Sequence, residues 1–82
     1  MKLTDTDLEI LSWSADGLTS DEIAEKMNRS PNTIKSRKSR ILAKLNAANM
    51  TEAIYKAVHQ IAEWRRDNGR PDPSIDKSPW LA

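Results

Sequence analysis

Residues 19–45, TSDEIAEKMNRSPNTIKSRKSRILAKL, hold two helix starts with almost nothing between them. The first is Thr19 followed three residues later by Glu22, a capping box in which a hydroxyl and a carboxylate satisfy the free amides at a helix start. The second is Ser30 with Pro31, whose missing amide costs nothing in a first turn. Ile23, Ala24 and Met27 recur at helical spacing behind the first start. Ile34, Ile41, Leu42 and Leu45 form a single apolar stripe behind the second. Only NRS, residues 28–30, separates the two helices. So short a turn makes either a plain helical hairpin or a helix-turn-helix, whose second member lies in the major groove of DNA.

Charge separates the two readings. The apolar stripe turns Asn32, Lys35, Ser36, Ser39, Arg40 and Ala43 outward. Small side chains on that face allow close approach to base edges, and Lys and Arg meet guanine or phosphate. A helix that merely faces solvent would intersperse Glu with Lys at four-residue spacing, yet there is no acid from Met27 to Ala48. The 82-residue chain as a whole has a net charge of only +1. Residues 1–28 carry two cations and seven acids, residues 29–46 six cations and no acid, and residues 47–82 five of each. Such a chain presents a local positive field to a polyanion despite its near-neutral total.

Two further helices flank this pair. Thr4 caps the first, Asp5 and Asp7 favour its positive end, and Gly17 suits the left-handed turn that closes it. The last begins at Asn49 with Glu52 as another capping box and runs to about Arg66, where DNG stops it. No strand pattern occurs, so the fold class is all-α with four helices. The domain is expected over residues 1–67, with residues 68–82 as a tail. That tail carries three prolines and no helical period, and reads as extended or disordered, or as docked on the domain or a partner through Trp80 and Leu81.

Several functions find no support. With no Cys there are no disulfides or thiolate metal sites, and His59, the single histidine, has no ligand partner at metal spacing. Ser12, Ser14 and Ser20 sit in no nucleophile motif, and two glycines make no phosphate loop. No enzyme activity, metal or cofactor is expected. Apolar runs never exceed three residues, so no membrane span is expected. The start MKLTDTDLEI lacks a signal core, and a cytoplasmic location is the default expectation.

The pieces LT (3–4), EIL (9–11), ADGLTSDEIAEKM (15–27), SPNTIKSR (30–37), ILAKL (41–45) and TEAI (51–54) together resemble the LuxR-type, GerE-like helix-turn-helix domain of bacterial regulators. The resemblance implies that the third helix enters the major groove and the fourth pairs two subunits. It places base reading at Lys35, Ser36 and Ser39, and backbone contacts at Thr19, Ser30, Asn32, Thr33, Arg37 and Arg40. The chain departs from the family's usual pattern at Thr6-Asp7 (usually Arg-Glu), Arg37 (His), Lys38 (apolar) and Asn46-Ala47 (Gly-Val). The first of these is expected to weaken ion pairing at the first helix. TIKSRKSRI is also similar to the promoter-reading domain of sigma factors, but the fourth helix favours the LuxR type.

On that fourth helix Ala53, Ile54, Ala57 and Ile61 form a core stripe, while Tyr55, Val58 and Ala62 form a second, which suggests a homodimer interface. Trp13 and Leu8 are expected to be partly buried. The expectation is therefore a free-standing, sequence-specific regulator of transcription that binds double-stranded DNA as a homodimer. The alternatives are an antagonist that pairs with a LuxR-type activator, and a sigma-factor-like promoter-binding domain.

Overall fold

Thr4 opens the first helix as its sequence predicts: its hydroxyl accepts from the Asp7 amide at 3.1 Å, and its own amide donates to Asp7 Oδ2 at 3.0 Å. The computed structural model describes residues 2–68. They form α1 (Asp5–Ala15), α2 (Ser20–Met27), α3 (Pro31–Leu45), α4 (Met50–Lys56) and α5 (Val58–Asp67), with no strand among the described residues. The tail expectations, including Trp80 and Leu81, and Gly69 of the expected DNG stop lie outside them.

Three of these helices end in the left-handed region. Gly17 has φ +91°, Asn28 φ +56° and Asn46 φ +51°. Each is followed by an amide that reaches back five residues: Leu18 to the Trp13 carbonyl (3.2 Å), Arg29 to Ala24 (2.9 Å) and Ala47 to Leu42 (2.9 Å). This Schellman closure favours glycine and tolerates asparagine best among the other residues. Asn46 thus occupies a position whose backbone explains the family's glycine. Lys56 Nζ adds a further cap by donating to the carbonyls of Asn46 (2.9 Å) and Leu45 (3.3 Å).

The expected fourth helix is divided. Ala57 leaves the helical region at φ −105°, ψ 15°, although its amide still bonds to Ala53 and its carbonyl still accepts from Ile61. No Pro or Gly stands there. Ala53 and Ala57 are fully buried, and both α4 and α5 pack on α1, so the bend keeps both segments against one helix. The expected capping box at Asn49 is also altered. Asn49 accepts from the Glu52 amide at 2.8 Å, but the Glu52 carboxylate takes the amide of Ala48 instead of that of Asn49.

The core is built on Ile10, Leu11, Ile23, Ile34 and Ile41, all fully buried, in a chain with no phenylalanine. Branching at Cβ disfavours isoleucine in helices by a few tenths of a kcal/mol, whereas its burial contributes about 1.5–3 kcal/mol, so packing decides. α1 is central and packs on the other four helices, while α2 packs mainly on α3. Leu8 and Trp13 are half-buried, as expected, and the Trp13 indole donates to Glu9 while Lys26 lies 5.7 Å over its ring.

Two partly buried polar contacts clamp the ends of α1. Asp7, 1% exposed, accepts from Lys44 Nζ of α3 at 2.5 Å. Thr6-Asp7 therefore does not simply lose ion pairing, because Asp7 pairs across to α3. At the other end Arg65 of α5 donates to Ser12 Oγ (2.6 Å), the Ser12 carbonyl (2.8 Å) and Asp16 Oδ1 (2.6 Å).

Burial alone would raise the Asp7 carboxyl's pKa, but the bonds from Lys44 and Thr4 outweigh it and hold it below the usual carboxylate value. A depressed folded pKa means stability that is present above about pH 4 and is lost as pH falls further. Asp7→Asn should cost about 2–4 kcal/mol at pH 7, since it leaves Lys44 without its partner. In urea unfolding at a series of pH values, the gap between the wild type and the variant should narrow below about pH 4.

Candidate nucleic-acid interface

The rotation of α3 is set by what it buries. Ile34 and Ile41 are fully enclosed, and Leu42 and Leu45 are half-buried against the core. The opposite face presents Asn32, Lys35, Ser36, Ser39, Arg40 and Ala43, all exposed. With 15 residues the helix is about 22 Å long, enough to lie along a major groove about 12 Å wide. Its first turn has no acid, so the positive end of the helix dipole is not offset by a carboxylate of its own.

The turn before it is fixed by Asn28 in the left-handed region and by Ser30, whose hydroxyl accepts from the Thr33 amide at 3.2 Å. Ser30 Oγ and Thr33 Oγ1 also share a hydrogen bond at 2.9 Å. One hydroxyl proton closes that pair and the other is left to donate outward. Thr19 is engaged in the same manner at the start of α2. Its amide donates to Glu22 Oε1 (2.8 Å) and its hydroxyl accepts from the Glu22 amide (3.2 Å), so the hydroxyl proton is its remaining donor. The bonds from the Thr19 backbone and side chain hold the Glu22 carboxyl below its ordinary pKa, so the box carries a full negative charge at neutral pH.

Asn32, Thr33, Ser36, Arg37 and Arg40 line one shallow recess of about 330 Å³ on this side of α3. Four of the expected backbone-contact positions thus converge around Ser36. Lys35 and Ser39 are exposed on the same helix but do not line the recess, and Thr19 and Ser30 stand at the two helix starts. Thr33 and Arg37 are half-buried, which restricts their reach.

Lys38 is a residue the sequence reading left without a role. It is half-buried, and its Nζ donates to Ser20 Oγ at 2.8 Å, tying α3 to the first turn of α2. Burial holds its ammonium below the ordinary lysine pKa. The signal was its spacing, four residues after Ile34 and three before Ile41 on the inward side of the helix.

On α4 and α5, Tyr55 is 80% and Val58 49% exposed, and Ala62 is exposed as well. Val58 and Ala62 join Ile54, Ile61 and Ala15 in an apolar recess of about 380 Å³ flanked by Arg65 and Arg66. Tyr55 lies beyond the break at Ala57 and does not line it. Among the described residues no cluster of His, Asp or Glu is arranged to hold a metal, and no helix is long and apolar enough to cross a membrane.

Residues 1–57 match the family described as bacterial regulatory proteins, luxR family. The uncharacterized transcriptional regulatory protein YxjL of Bacillus subtilis is 42% identical over 55 residues, 67% of this chain and 25% of that protein. The transcriptional activator protein VanR of Vibrio anguillarum is 39% identical over 56 residues, 68% of this chain and 23% of that protein. The chain spans about a quarter of the length of these curated relatives. No solved structure matches it.

Proposed function

The chain belongs to the bacterial luxR family of regulatory proteins, a family of DNA-binding transcription regulators, and from that premise we propose that it reads a specific duplex sequence as a homodimer. The observation that carries this reading is the exposed, acid-free outer face of α3, on which Lys35, Ser36 and Ser39 are free to meet base edges. In this reading Asn32, Thr33, Arg37 and Arg40, four of the residues lining the recess around Ser36, contact a flanking phosphate strand, and Thr19 and Ser30 donate to it from the helix starts. Lys35 is the long cationic side chain of the base-facing set and pairs with guanine. Lys38 positions the reading helix by its bond to Ser20.

Tyr55, Val58 and Ala62 supply the two-fold contact in this reading. One such domain makes few base contacts, and pairing lets two recognition helices meet successive major grooves about 34 Å apart. Direct tests follow from the assigned roles. Lys35→Ala should weaken binding to the cognate site by about 1–3 kcal/mol and binding to scrambled DNA much less. Equal losses on both would assign Lys35 to phosphate alone.

Affinity should fall steeply with salt, and replacing Arg37 should flatten the log–log slope by about one unit. A wild-type slope near zero would remove DNA as the partner and leave pairing with another regulator as the function. Val58→Glu should give a folded, helical monomer in sedimentation and circular dichroism, because Ile54 and Ile61 still hold the core. A variant that remains dimeric would move the interface elsewhere.

A further inference from the structure

Two lysines of α3 are drawn off its outer face, and their charges are met differently. Lys44 meets the carboxylate of Asp7, which matches its charge one for one. Lys38 meets the hydroxyl of Ser20 at 2.8 Å, and among the described residues it forms no ion pair. A hydroxyl satisfies one ammonium proton but cancels no charge. Half-burial already disfavours the ammonium and holds its pKa below the ordinary lysine value. A mere tie between helices would be better made by a carboxylate partner, as at Lys44, or by an apolar side chain.

The place of Lys38 on the helix suggests what the charge is for. Successive residues turn by about 100° round a helix, so Arg37 and Lys38 stand on opposite sides of the buried Ile34 and Ile41 stripe. Arg40 is about 160° from Lys38 by the same count. Thr33, Arg37 and Arg40 line the recess on one flank of α3. Lys38 belongs to the other flank, where α2 begins. A helix lying in a major groove has a phosphate strand on each side, and the recess accounts for one of them.

We propose that Lys38 and Ser20 form a second phosphate-binding point, which holds the DNA strand on the α2 side of α3. This rests on the reading of α3 as the helix that enters the groove. Ser20 accepts from Lys38 and so turns its own proton outward, beside the remaining proton of Thr19. The other ammonium protons of Lys38 go to a phosphate oxygen, in charge-assisted bonds stronger than neutral ones. Asp21 and Glu22 stand in the same first turn of α2 and repel a phosphate. The Lys38 ammonium offsets them, and the two hydroxyls depend on it to attract the strand. The phosphate in turn is the negative partner that Lys38 lacks in the free protein.

The test is the salt dependence of binding to a mixed-sequence duplex, for wild type, Lys38→Met and Ser20→Ala. Lys38→Met keeps an unbranched stem against the core and removes the charge. It should remain helical by circular dichroism and flatten the log–log slope by about one unit. Ser20→Ala keeps the ammonium and should retain the wild-type slope. In the unaltered protein the Nζ resonance of Lys38 should shift on addition of the duplex, while that of Lys44, held by Asp7, should not. An unchanged slope in Lys38→Met would overturn the proposal and leave the DNA reading standing, as would an unshifted Lys38 resonance. Equal flattening by Lys38→Met and Ser20→Ala would also overturn it, since the effect would then come from the placement of α2 against α3. A wild-type slope near zero would overturn the DNA reading together with it.

Discussion

The burial of Ile34 and Ile41 is the constraint from which the rest of the molecule's surface follows. Once those two side chains are enclosed among the helices that pack on α3 (α1, α2 and α4), the rotation of α3 has no freedom left, and Lys35, Ser36 and Ser39 must face outward. Lys38 and Lys44, on the inward flank of the same helix, could not be left unpaired there. Each is met by an oxygen from another helix: Ser20 at the start of α2, and Asp7 at the start of α1. The cations of α3 therefore divide by position: Lys38 and Lys44 tie the helix down, Lys35 and Arg40 are exposed on its outer face, and Arg37 is half-buried between them.

The acids sort in a corresponding way. Asp7 and Glu22 close capping boxes, and Asp16 receives Arg65, so part of the acidic half of the chain acts in holding helix starts and ends together. That explains how a chain of net charge +1 can show one strongly basic helix. Negative charge is concentrated on α1 and α2, and the first turn of α3 carries none. A field built from this separation acts over roughly a Debye length, about 8–10 Å at moderate salt, which is the range over which a helix meets a phosphate strand.

Much of this was legible in the sequence because it depends on local rules. Thr4, Thr19 and Ser30 cap the helices their patterns predicted, and the apolar spacing of α3 identified its outward face. What escaped were features set by how helices cross. The partner of Asp7 lies 37 residues away and that of Ser12 lies 53 residues away. Spacing could flag Asp7, Lys38 and Lys44 as inward polar groups, but not pair them. The break at Ala57 was invisible for a similar reason, since no proline or glycine marks it and it arises from the need of both flanking segments to stay on α1. Glu52 reaching Ala48 instead of Asn49 is a difference of one residue in side-chain reach, below what a capping pattern resolves.

Both halves of the proposed function, base reading by the α3 face and pairing of two copies through the Val58 face, converge on the kind of DNA site the chain should prefer. The most direct measurement is selection of bound duplexes from a random pool by the full chain at moderate salt. The account predicts enrichment of an inverted repeat whose half-sites are centred about one helical turn, 10–10.5 base pairs, apart. Recovery of a pool with no enriched sequence after repeated rounds would contradict it.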